Sequence, residues 1–229
     1  MSRKITLFEP VRRMFLREHD FFVKQAKSRI FDNFKDEDID KEAEKEKEDF
    51  FEREGSEGSY GEDVDMGDIA EDAERRGIEF GEMLYEMKSR IILAILASLY
   101  HHWDKNLRER MEHGLRFGFT EDELKEVFWK RDIKKMLNEL EESTEWDVRK
   151  EPWFPKIDAC RLIVNAYKHG KGHSLDELNE KYPQYLQGPF GVLSGDFDKL
   201  PPRYENLWVS PEEFVQIAEA FKQFWVKFP

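Results

Sequence analysis

Apolar side chains recur along this chain at the helical period rather than the two-residue period of a strand. The first such run covers residues 9–34, where Phe15, His19, Phe22 and Val23 fall on one face beside Leu16 and Ala26. Pro10 stands at its start, where a missing amide hydrogen costs little. The longest run covers residues 68–113 and stops at Gly114. Its middle, IILAILASLY (91–100), is apolar nearly all round, the pattern of a helix enclosed by other helices. Gly77 and Gly81 in this run either interrupt the helix or let another backbone come close.

Thr120 opens a capping signature, with Glu123 three residues on and acidic groups in the first turn. It predicts a helix continuing through Leu124, Val127, Phe128, Ile133, Met136, Leu137 and Leu140. Pro152 and Pro155 break the pattern; residues 156–169 form the next helix, stopped by Gly170. Ser174 with Glu177 reads as a second capping signature. Four prolines and three glycines make residues 182–205 irregular. The last helix is capped by Ser210 and begun by Pro211, with Phe214, Ile217, Phe221, Phe224 and Trp225 as its buried stripe. The expected fold is all-α: an irregular bundle of five or six substantial helices around a long central one, with at most one short strand near NLWV (206–209).

Charge changes this picture in one place. Residues 36–63 alternate acidic and basic groups and then turn Gly/Ser-rich, which predicts a solvated helix with Glu/Lys pairs followed by a loop. The chain therefore divides into an N-terminal helix on the core (1–35), an acidic segment (36–66) and a helical core domain (67–229). The net charge of −13 disfavours broad binding to nucleic-acid phosphate or anionic membranes. It leaves room for RNA at a local site, and it suits a basic protein partner on segment 36–63. The ten apolar residues 91–100 fall short of the ~20 that span a bilayer. One cysteine, Cys160, and an N-terminus without an apolar leader point to the cytoplasm. No Walker or dinucleotide phosphate loop and no cysteine cluster is present, so no cofactor is expected. His169 and His173 are four apart, but Gly170 and Gly172 oppose the helix that a zinc pair would need. Aromatic stripes at both ends of the chain suit a homodimer.

Candidate chemistry sits in RLIVNAYKHG (161–170). Arg161, Asn165 and His169 are spaced i, i+4, i+8 and line one face of a helix. Histidine can exchange a proton near neutral pH, arginine can stabilise charge developing on a phosphate, and asparagine can position either. The structural alternative has His169 holding the last carbonyls of its helix and Arg161 paired with a carboxylate. His102 and Asp104, after the apolar run, are further candidates, with one of His101 and His102 expected to face inward. Cys160, among apolar neighbours, reads as inert core.

Asn165-Ala-Tyr-Lys-His169-Gly170 resembles the Asn-x-x-x-His-Gly ending of the HEPN superfamily (higher eukaryotes and prokaryotes nucleotide-binding domains). YHHWDKNLRERM is similar to the preceding helix of such proteins. LIVNAYKHGKGHSLDELNEKYPQYL also resembles bacterial proteins with an Asn-x-x-x-His-Gly-x-Gly-x-Ser signature. The likeness covers roughly residues 80–185. It implies a helical bundle, often dimeric, and a metal-independent ribonuclease of a toxin–antitoxin or phage-defence system. His169 would be the acid/base, Arg161 the phosphate stabiliser and Asn165 the positioning residue. Val164 stands where the family pattern has arginine, so Arg161, one turn earlier, would have to replace it. The competing expectation is a non-catalytic scaffold whose acidic surface binds a basic partner.

Overall fold

The computed structural model describes residues 5–56, 66–116, 120–188 and 203–229. It is mostly helical, with no strand among the described residues. The helices are α1 (Glu9–Arg29), α2 (Asp36–Ser56), α3 (Met66–Leu115), α4 (Glu121–Leu124), α5 (Ile133–Thr144), α6 (Phe154–His169), α7 (His173–Lys181) and α8 (Pro211–Lys227), joined in places by short 3-10 turns. None is long and apolar enough to cross a membrane.

At 1.5 Å per residue, the fifty residues of α3 reach roughly 75 Å. Its two halves have different surroundings. From Ile92 onward, Leu96, Leu99, Trp103, Leu107 and Met111 repeat every three or four residues and are buried in the main core. There α3 packs on α6 and α8. Phe224 of α8 lies at the aromatic centre, with ring centroids 5.1 Å from Trp103 and 5.5 Å from Trp146. The segment before α1 meets the end of α8: Leu7 N donates to Pro229 O at 2.6 Å. Arg12 donates to the carbonyls of Trp225, Val226 and Phe228 at 2.6–2.8 Å, satisfying the open end of α8 and complementing its dipole.

The first half of α3, residues 66–90, packs on α2 instead, and the two run antiparallel as a helical arm. Asp36 meets Lys88, Asp40 meets Tyr85, Glu46 meets Arg76 and Lys47 meets Glu74, so numbers rise on one helix as they fall on the other. Gly77 and Gly81 do not interrupt α3; they form the seam. A Cβ on Gly77 would lie 2.9 Å from Cβ of Lys47 and 3.1 Å from the Ala43 carbonyl oxygen, and one on Gly81 would lie 3.3 Å from Cβ of Ala43. Ile39, Ile69 and Ala73 are buried, yet none of them joins the main core.

Several boundaries depart from the sequence pattern. α1 ends at Arg29 and gives way to a 3-10 turn, Phe31–Asn33, while α3 runs past Gly114 to Leu115. Thr120 and Glu123 do form the reciprocal capping box, but α4 lasts one turn and opens into a π turn, Lys125–Trp129. A new helix starts only at Ile133, with Asp132 capping Lys134 N at 2.7 Å. Arg108 stabilises that break: it donates to the carbonyls of Phe128 and Arg131 at 2.6 and 3.0 Å. NLWV forms no strand: Asn206 ends a 3-10 turn, Tyr204–Asn206, its carbonyl accepts from Gly188 N, and Trp208 N donates to Tyr185 O. Ser174 is not a cap, because α7 already begins at His173 behind Gly172. The loop expected after residue 56 lies outside the described residues.

Candidate functional site

Arg161 is fixed by its position on α6 among Leu162, Ile163 and Val164, all buried. Its side chain is 8% exposed and lies among carboxylates. Nε and Nη2 donate to Asp158 Oδ1 at 3.0 and 2.8 Å, an i, i+3 pair within α6. Nη2 also reaches Glu177 Oε1 on α7 at 3.3 Å. Glu177 in turn accepts from Lys181 Nζ at 2.7 Å and from Lys134 Nζ on α5 at 3.2 Å. Tyr182 donates its hydroxyl to the other oxygen of Asp158 at 3.3 Å. One ionic cluster thus ties α5, α6 and α7 together.

The protonation states follow from this arrangement. Burial alone would raise the Glu177 carboxyl, but the hydrogen bonds from Lys181 and Lys134 and the charge of Arg161 hold it down at about 2. Burial likewise opposes the charge of Arg161, and Asp158 with Glu177 outweighs it, so the guanidinium stays ionised. Tyr182 is pushed up to about 12 by burial and by the Asp158 charge beside it. Burial pushes the Cys160 thiol well up, in keeping with inert core.

The polar line on α6 does not converge. Asn165 is half-buried and His169 is fully on the surface, eight residues or roughly 12 Å along the axis from Arg161. His169 makes neither a hydrogen bond nor an ion pair with Arg161, whose donors face Asp158 and Glu177. His101 and His102 are both exposed; Trp103 is the inward residue of that turn. His102 sits 3.2 Å from Asn106 and 3.8 Å from Glu18. Both carboxylate oxygens of Asp104 accept from Arg108 Nε, at 3.0 and 2.9 Å. Neither residue bonds to Arg161. Among the described residues, no group of three or more His, Cys, Asp or Glu side chains could hold a metal.

No family model, curated protein or solved structure matches this chain. Its own charge distribution then becomes the most informative feature. Residues 36–90 hold 22 of the 50 acidic side chains and 8 of the 37 basic ones, a net −14, so the remainder of the protein is +1. Every ion pair or hydrogen bond that α2 makes to another element, among the described residues, ends on α3. Many carboxylates of this arm remain unpaired and exposed, among them Glu42, Glu48, Glu79 and Glu82. A groove along the seam is lined by Asp40, Glu44, Glu74, Glu82, Gly77 and Ile78. Ile78 is 55% exposed, as is Met83, and Met87 lies one turn beyond Met83.

The ionic cluster was only partly visible in the sequence. Asp158-x-x-Arg161 and Glu177-x-x-x-Lys181 have the spacing of helical ion pairs and were its available signals. The contribution of Lys134, from a different helix, had no such signal.

Proposed function

We propose that this protein is a non-catalytic interaction module whose acidic helical arm engages a basic partner. The observation that carries this reading is the segregation of charge along the sequence: residues 36–90, which include both helices of the arm, total −14, and all other residues total +1. Concentrated charge of one sign accelerates encounter with a partner of the opposite sign and excludes partners of like sign. Exposed Ile78, Met83 and Met87 add apolar contact area next to the carboxylates. A positively charged amphipathic segment meets both requirements. The test is binding of a lysine-rich amphipathic peptide to the full chain at two salt concentrations. Binding should be present at 50 mM salt, weaken at least tenfold at 200 mM, and fall further when Glu42, Glu48, Glu79 and Glu82 become glutamine. Salt-insensitive binding, or binding equal in the quadruple variant, contradicts the reading.

A HEPN-like ribonuclease is the second reading, and one feature favours it. The turn after α6 exposes Lys168, His169, Lys171 and His173, a basic patch on an acidic protein. In that case RNA would be cut without metal, and His169→Ala would abolish cleavage. Arg161 contributes little to this chemistry where it stands, because it lies eight residues, roughly 12 Å along the α6 axis, from His169. A homodimer would place two such patches on one particle.

A further inference from the structure

A cavity of about 210 Å³ lies between α3, α5 and α6, beside the ionic cluster. Pockets of roughly 150 Å³ take up benzene, so this one has room for a benzene ring with one short substituent. Leu137 and Ile157 supply aliphatic wall, and Tyr100 and Trp103 supply ring faces from α3. Three wall residues carry hydrogen-bond donors with no partner among the described residues, and of these the Trp103 Nε1 is fully enclosed. Tyr100 is 6% exposed, and its hydroxyl bonds to no described residue. Arg161 spends Nε and Nη2 on Asp158 and Glu177, while Nη1 has no partner among the described residues. The Tyr100 hydroxyl and Arg161 Nη1 are not sealed from solvent, so an acceptor that enters the cavity can reach both.

Charge narrows the acceptor. Lys134, Arg149, Arg161 and Lys181 line the cavity together with Asp158. The carboxylates that pair with these cations are Asp158, Glu177 and Glu141. Four cations face three carboxylates, which leaves one positive charge. Asp158 itself is engaged by Arg161 and Tyr182, so it does not stand free to repel an anion. A monoanion therefore fits better than a dianion, and the apolar wall fits a ring better than a sugar.

We propose that this cavity is a binding site for a small aromatic carboxylate, with the carboxylate on Arg161 Nη1 and the Tyr100 hydroxyl and the ring against Trp103, Leu137 and Ile157. The ligand sets its ring against the apolar wall and its carboxylate on the two open donors. This site is independent of the acidic arm, and either could fail without the other.

Benzoate is the probe, titrated into the full chain by calorimetry and by tryptophan fluorescence, with toluene as the uncharged ring and acetate as the ringless anion. Benzoate should saturate one site and bind at least tenfold more tightly than toluene or acetate. Tyr100→Phe removes only a hydroxyl that has no partner among the described residues, so the fold should hold, as circular dichroism would verify. It should weaken benzoate about 2–10-fold and leave toluene unchanged. Leu137→Phe should fill the cavity and abolish binding of both. The proposal is overturned by any of three results: benzoate no tighter than toluene or acetate, no saturable benzoate binding, or benzoate binding unchanged in both variants.

Discussion

The two halves of α3 belong to one continuous helix yet are held by different physics. Residues 91–115 pack one face on α6 and α8, with Leu96, Leu107 and Met111 wholly buried. Residues 66–90 pack mainly on α2, across a narrow glycine seam that buries Ile39, Ile69 and Ala73, with Ser89 Oγ donating to the Leu207 carbonyl at 3.3 Å. Burying an Ile side chain contributes about 1.5–3 kcal/mol, and exposed ion pairs add about 0–1 kcal/mol each. The arm is thus held by a few apolar contacts plus weak charge pairs, whereas the bundle is held by an extended core. Helical continuity does not imply uniform stability. The less stable half is the one that carries the excess charge.

The largest expected effect lies in the bundle. Phe224→Ala should cost about 3–5 kcal/mol, because its ring contacts Trp103, Trp146, Trp153, Trp225 and Phe228. Urea denaturation should show the loss as a shift of the whole transition; a shift below about 1 kcal/mol would contradict the core described above.

Glu177→Gln comes next, at about 3 kcal/mol, since it leaves Arg161, Lys134 and Lys181 short of a counter-charge. The same residue sets an acid limit. Its carboxyl is ordinarily at 4.5 and is held at about 2 in the folded protein, so the unfolded chain binds its proton first as pH falls. Its contribution is complete above about pH 4.5 and disappears progressively as pH drops toward 2. Urea midpoints at pH 7, 4 and 3 should converge between wild type and Glu177→Gln; a constant gap between them would refute the assignment.

Gly77→Ala probes the arm. A Cβ there meets Lys47 and the Ala43 carbonyl, and overpacking costs about 1–3 kcal/mol, offset by about 1 kcal/mol of helix propensity. The net loss should appear as faster hydrogen exchange in α2 while the bundle's melting temperature stays fixed. Smallest of all, neutralising Glu42, Glu48, Glu79 and Glu82 should change stability by no more than about 0.5 kcal/mol, since all four are exposed and none makes an ion pair among the described residues. A large destabilisation would mean that these carboxylates hold the arm together.

Local signals in the sequence located most helices. Ser210 with Glu213, and Pro211 behind the cap, mark the start of α8, and Gly170 at φ 68° marks the end of α6. The apolar stretch 91–100 and the charged helix 36–56 were equally legible, because period and composition express burial directly. What escaped the pattern depends on distant partners. The helix from Thr120 looks continuous until Arg108, on α3, is found bonding the carbonyls released by the π turn. Glu177 looks like a cap until Lys134 and Arg161 arrive from other helices. Arg161, Asn165 and His169 share a face, but spacing along a helix does not reveal that one end of the line is enclosed and the other is in water.

Hydrogen exchange along the full chain, measured with and without the lysine-rich peptide, tests the central claim most directly. The account predicts faster exchange in residues 66–90 than in 91–115 of the same helix, and peptide protection confined to residues 36–90. Uniform exchange along α3, or peptide protection centred on α6 and α7, would contradict it.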